Sequence, residues 1–156
     1  MDREIYTTEQ ILSDLLSKDV NMVKKASCEI IDISQNREKI RPLIDSLEII
    51  REKTADLDMG GVIARNRRFL DFALEVIEFH KSNKGCSCML YSQSGDSTFF
   101  DPIQEELMGN VKVVKKVMEG NSLYVDYYLA KCNKCQCEFK VIERVYHMPW
   151  WHWEKV

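Results

Sequence analysis

Two short stretches decide how this chain is read: Gly85-Cys86-Ser87-Cys88-Met89-Leu90 and Lys131-Cys132-Asn133-Lys134-Cys135-Gln136-Cys137-Glu138-Phe139. Between them they hold five of the six cysteines of a 156-residue chain. Upstream of Lys84 the apolar residues recur at helical spacing. Downstream the pattern changes to short runs broken by turn signals. The expected fold class is therefore α+β, with the cysteines belonging to the β half.

Clustered thiols can form disulfides, pack as free thiols or bind metal. The opening MDREIYTTEQ is charged and has no apolar core of a secretory signal. No apolar run approaches the ~20 residues of a membrane span. The expected setting is the reducing cytoplasm, where paired cysteines read as metal ligands. A structural zinc ion takes four thiolate or imidazole ligands in a tetrahedron. Cys86 and Cys88 would supply two, and Cys132 and Cys135 the other two. The 44 residues from Cys88 to Cys132 suit neighbouring strands with a long excursion between them. Four cysteines fill the shell and leave no position for water, so the expected cofactor is structural Zn2+ and not a catalytic ion. Cys137 falls two residues past the knuckle and is left outside the shell. Cys28 lies mid-helix among apolar residues and reads as a buried structural thiol.

The run Lys131 to Val141 resembles the C-x-x-C-G-x-x-F half of zinc-ribbon proteins. It departs at Gln136, where such knuckles usually have Gly, and the first pair is C-x-C in place of C-x-x-C.

The first half reads as helices with legible starts. Thr7-Thr8-Glu9-Gln10 has capping-box spacing, with Ile11, Leu12, Leu15 and Leu16 as the apolar face. Asp19 caps a second helix to about Ser34, with Val20, Val23, Ser27, Ile30 and Ile31 inward. Asn36 can cap a third, but Pro42 removes a donor, so its regular part is expected to start at Pro42 and end before Lys53. Gly60-Gly61 punctuates a loop from Ala55 to Ala64, and a fourth helix spans about Asn66 to Lys81. Cys28 to Ile33 aligns with Leu74 to Phe79, 46 positions later. That offset, together with Val23-x-x-Ala26 to Ile31, a polar turn and Pro42-Leu43-Ile44-x-x-Leu47, resembles HEAT repeats over residues 8–82. The resemblance implies antiparallel helical hairpins. An ordinary small helical bundle would give the same pattern.

Ser82-Asn83-Lys84-Gly85 is a polar stop, so residues 1–84 are expected to be the helical region and 85–156 a zinc-stapled β region, packed together as one compact unit. Cys88 to Tyr91 reads as a strand, Ser92 to Asn110 as a loop, and Val111–Met118, Leu123–Ala130 and Phe139–Tyr146 as further strands. This makes an antiparallel sheet of about four.

Composition bounds the function. The chain is 45% hydrophobic and 30% charged, which is globular. It has 22 Lys+Arg against 25 Asp+Glu, and neither half is a basic module. There is no nucleophile elbow, P-loop or dinucleotide fingerprint, so no catalytic residue is assigned. Two stretches remain as possible binding surfaces. One is Tyr146 to Trp153, where Trp150, Trp151 and Trp153 either form an exposed platform or fold back to close a small core; the second is favoured, with one or two left exposed. The other is Arg65, Arg67 and Arg68 beside a helix start, an anion site or a solvated helix end. The expected function is a non-enzymatic protein-binding module with a structural zinc site. Its small, acidic character is similar to that of bacterial immunity proteins that neutralise a toxin. The alternative is a nucleic-acid-binding zinc ribbon using the arginines and tryptophans.

Overall fold

The computed structural model of the chain describes residues 5–62, 65–82 and 85–156. Among these residues it has seven helices and one four-stranded antiparallel sheet, an α+β fold. The chain divides into two compact units, Met1–Ser87 and Cys88–Val156. Of the expected boundary stretch, Asn83 and Lys84 lie outside the described residues, as does Ala64, the expected end of the loop.

The first unit is built from capped amphipathic helices. In α1 (Thr8–Leu15) the Thr7 hydroxyl accepts from the Gln10 N–H at 3.2 Å, and the Gln10 side chain accepts from the Thr7 N–H at 2.9 Å. This is the capping box, which satisfies two orphan donors reciprocally. α2 (Val20–Asp32) starts where the Asp19 carboxylate accepts from the N–H groups of Asn21 and Met22. α5 (Arg67–Ser82) packs along α2, and Leu70, Ala73, Val76 and Ile77 meet the same core as Val23, Ala26 and Ile30. His80 is buried in this core, with its Nε2 2.7 Å from the Ser34 carbonyl oxygen. It is a satisfied core histidine.

The third helix differs from expectation. α3 (Arg37–Ile44) starts at the Asn36 cap, whose side chain accepts from the Lys39 N–H at 3.2 Å, and Pro42 lies inside it. The cap decides the start, and Pro42, exposed on the outer side, omits one hydrogen bond without preventing the turn. The chain then breaks at Asp45-Ser46 and restarts as α4 (Leu47–Thr54). The expected single helix is two short ones. Both keep the apolar stripe, since Ile40, Leu43, Leu47 and Ile50 are all buried.

The second unit opens with two short helices, α6 (Met89–Gln93) and α7 (Pro102–Leu107). Four strands follow: β1 (Val111–Met118), β2 (Val125–Cys132), β3 (Glu138–Tyr146) and β4 (Met148–Lys155). Their order in the sheet is β1-β2-β3-β4, a meander in which each strand pairs antiparallel with the next.

Two expectations are corrected here. Residues 88–91 form the start of α6 and not a strand; four apolar residues fit either period, and the core they meet selects the helix. The aromatic tail closes a core as favoured, with Trp151 and Trp153 buried, but it does so as the fourth strand of the sheet, which was not expected. Pro149 lies inside this strand. It lies opposite Val145 in β4, an edge strand where a missing donor is tolerated. The β3–β4 reversal is made at His147, with φ of 61°, between the paired Tyr146 and Met148.

The core of this unit is aromatic. Trp153 stacks on Tyr91 with ring centres 4.1 Å apart and meets Phe139 edge-on at 5.6 Å. Its indole N–H donates to the Phe100 carbonyl at 2.9 Å. The Tyr91 hydroxyl donates to the buried Glu105 carboxylate at 2.7 Å. Burial first, and then Glu105, pushes the Tyr91 phenol well above its ordinary range. Among the described residues no helix is long and apolar enough to cross a membrane.

Candidate metal centre

The two cysteine pairs meet. Each of Cys86, Cys88, Cys132 and Cys135 offers a sulfur, and these four atoms lie within 4.8 Å of one another. Cys88 and Cys135 have their sulfurs 3.4 Å apart. Around a tetrahedral zinc with bonds of about 2.3 Å, sulfurs sit roughly 3.8 Å from each other. The cluster brackets that distance, and its donors are all thiols. The residues fit a closed four-thiolate metal site.

Local structure explains the placement. Cys88 sits immediately before α6, and Cys132 is the last residue of β2. The chain then folds into a knuckle: the Gln136 N–H donates to the Cys132 carbonyl at 3.0 Å, and the Cys132 N–H donates to the Cys137 carbonyl at 2.8 Å. The Lys134 N–H points at the Cys132 sulfur from 3.4 Å. Asn133 ties the knuckle to the end of α7 through its N–H to Asn110 O, 3.0 Å, and its amide to Gly109 O, 2.8 Å. Gln136 has φ of 68°, the left-handed conformation that glycine adopts freely.

Burial grades the four thiols. Cys88 and Cys132 are buried, Cys86 is half-buried and Cys135 is exposed. Cys137 is not one of the four. It lies beside Cys135, and the hydrogen bond between them pushes the Cys137 thiol up. Cys28 is half-buried in α2, its thiol also pushed up, by burial and then by Asp32.

The other sequence candidates land elsewhere. Trp151 and Trp153 are buried and Trp150 half-buried, so the three do not form an exposed platform. The Trp151 indole N–H donates to Glu143 at 2.9 Å, and the Tyr128 hydroxyl donates to the same carboxylate at 3.3 Å. Arg67 donates to the carbonyls of Thr54 at 2.9 Å and Leu57 at 3.1 Å and pairs with Asp71 at 3.3 Å. The Arg68 guanidinium lies 4.5 Å from the Phe69 ring centre. Arg67 stitches the loop to α5, and of the three arginines Arg65 alone is exposed.

The surface that sequence reasoning missed is at the far end of the sheet. Leu123 and Tyr124, expected inside a strand, lie in the β1–β2 turn, and β2 begins only at Val125. Leu123 and Tyr124 are exposed together with Val145, Tyr146 and Met148 of the β3–β4 tip. Tyr124 and Val145 line one recess of about 250 Å³ with Glu119, Val125, Glu143 and Arg144. Alternation alone cannot show that a strand pair runs past its neighbours into solvent. No family model, curated protein or solved structure matches the chain.

Proposed function

We propose that this chain is a non-enzymatic protein-binding module with a structural zinc ion on Cys86, Cys88, Cys132 and Cys135. The observation that carries the binding role is the apolar end of the sheet. Leu123 is 94% exposed, Tyr146 73% and Tyr124 64%. Isolated exposed apolar residues are ordinary, but a group of them at adjoining hairpin tips, with two tyrosines, has the make-up of an interface centre. The donor set supports the metal reading, because four thiols saturate zinc and leave it a purely structural task. Within this class, the chain is similar in size and acidity to the immunity proteins of bacterial toxin systems, and a secreted toxin encoded beside it is the partner this reading names.

The test is affinity capture from the native host with the wild-type chain and with a Tyr124→Glu/Tyr146→Glu variant. A stoichiometric protein partner, held by the first and lost by the second, is the expected result. Equal capture by both removes the sheet end from the reading. Salt-sensitive capture of nucleic acid in place of protein favours the zinc-ribbon alternative. Metal analysis of the purified chain tests the zinc assignment separately, with one ion per chain expected.

A further inference from the structure

We infer that the recess at the far end of the sheet takes a basic side chain, arginine or lysine, from the bound partner. This rests on the protein-binding reading above and names the chemistry of its contact.

The recess has a volume of about 250 Å³, below the roughly 300 Å³ at which sites for drug-sized molecules begin. It suits one long side chain. Tyr124, Val125 and Val145 give it apolar walls, and Glu119 and Glu143 bring two carboxylates to it.

Two hairpins place these groups. In the β1–β2 turn the Glu119 N–H donates to the Tyr124 carbonyl at 2.9 Å, which sets the two residues opposite each other. In the β3–β4 pair Glu143 stands opposite Trp151. Its Oε1 accepts from the Trp151 indole N–H at 2.9 Å and from the Tyr128 hydroxyl at 3.3 Å. Both donors grip one oxygen, so the carboxylate is held in a fixed orientation, and Oε2 is bonded by neither of them. A half-buried carboxylate held in this way is preorganised for a cation. Arg144, the one cation lining the recess, is already engaged. Its guanidinium pairs with Asp126 at 3.0 Å and donates to the carbonyls of Asp126 at 2.9 Å and Glu143 at 2.7 Å. Asp126 offsets its charge, which leaves the two carboxylates to set the sign of the recess.

An arginine or lysine matches each part. Its methylene stem lies along the valines, and its charged head reaches the carboxylates. The ring of Tyr124, 64% exposed, offers a face for cation–π contact. A neutral polar side chain would leave the carboxylates without a counter-charge, and an acidic one would be repelled. A basic residue seated in a pocket, with exposed apolar neighbours to exclude water, is the make-up of an interface hot spot.

The experiment titrates the purified full chain, followed by NMR, with blocked tripeptides Gly-Arg-Gly, Gly-Lys-Gly and Gly-citrulline-Gly, the last keeping the shape of arginine without its charge. Saturable shifts of the Tyr124, Val125 and Val145 amides are expected with the two cationic peptides, and binding about tenfold weaker with citrulline. Glu119→Gln/Glu143→Gln removes both charges and keeps an oxygen for Trp151 and Tyr128; it should weaken the cationic peptides by about the same factor. Glu119→Gln alone, at an exposed turn position, should give part of that loss, so a disturbed fold in the double variant leaves the test in force. No saturable shift at these amides, equal binding of the citrulline peptide, or unchanged binding by the variants overturns the proposal. Capture from the native host separates it from the wider reading. A protein partner lost by Tyr124→Glu/Tyr146→Glu but fully kept by Glu119→Gln/Glu143→Gln overturns the cation site and leaves the binding module standing. Cationic tripeptides bound at the recess with no protein partner captured sink the binding module and leave the cation site standing.

Discussion

Gln136 shows how one residue can be strained and useful together. A non-glycine side chain in the left-handed region costs roughly 1–2 kcal/mol. Part of that is offset here, because the Gln136 amide donates to the Asn133 carbonyl at 3.2 Å. Gln136→Gly is therefore expected to stabilise the metal-loaded chain by about 1 kcal/mol, read as a higher urea midpoint at unchanged slope. A lower midpoint would mean that the side-chain bond outweighs the strain. Tyr128 gives a second expectation at this scale. Burial, followed by Glu143, pushes its phenol from 10.0 up to about 12. The folded state thus holds the proton more tightly than the unfolded chain. The stability this contributes is complete below pH 10 and is lost as pH rises through about 12. Tyr128→Phe should flatten the fall of stability with pH in that window, measured by denaturant titration at several alkaline pH values; an unchanged slope would refute the assignment.

At the scale of elements, β4 is the strand on which the second core depends. Trp153→Ala removes the ring stacked on Tyr91 and leaves a cavity among Tyr91, Phe139 and Phe100. A loss of about 3–5 kcal/mol is expected, read in equilibrium unfolding; a loss under about 1 kcal/mol would mean that the site collapses around the smaller side chain. This strand was also the hardest to read. Helix starts were legible because a cap is a local event: Thr7, Asp19 and Asn36 each accept from donors two or three residues on. Strand identity is not local. Residues 148–155 contain Pro149 and three tryptophans, and only the pairing of Val145 with Pro149 and of Val141 with Trp153 makes them a strand. Cys88 to Tyr91 fails the other way, as an apolar run of four carries no period. α7 was hidden in an Asp101-Pro102 pair that reads as a turn. It is also a helix start, with the Asp101 carboxylate accepting from the Ile103 N–H at 2.9 Å and proline in the first turn.

For the whole molecule, the cysteine spacing was legible as a cluster, since a saturated tetrahedral site needs four donors and the two pairs supply them. The exposed end of the sheet was not, because exposure depends on where neighbouring strands stop. The metal reading makes a global prediction. Zinc held at a thousandfold excess over its dissociation constant adds about 4 kcal/mol, which for a chain of this size moves the thermal midpoint by roughly 10 °C. Removing it with a chelator, or substituting Cys132→Ser, should lower the midpoint by that order in calorimetry. A shift under a degree or two for both would show that the sheet holds itself without the ion.

All three tryptophans stand on β4, at positions 150, 151 and 153, and the first unit has none. Among the described residues, five of the seven helices belong to that first unit. Tryptophan fluorescence, excited selectively over tyrosine, therefore reports the second unit alone, while far-ultraviolet dichroism is dominated by the first. Unfolding followed by both signals separates the two units without a label: coincident curves mean one cooperative transition, and displaced curves assign each midpoint to its unit.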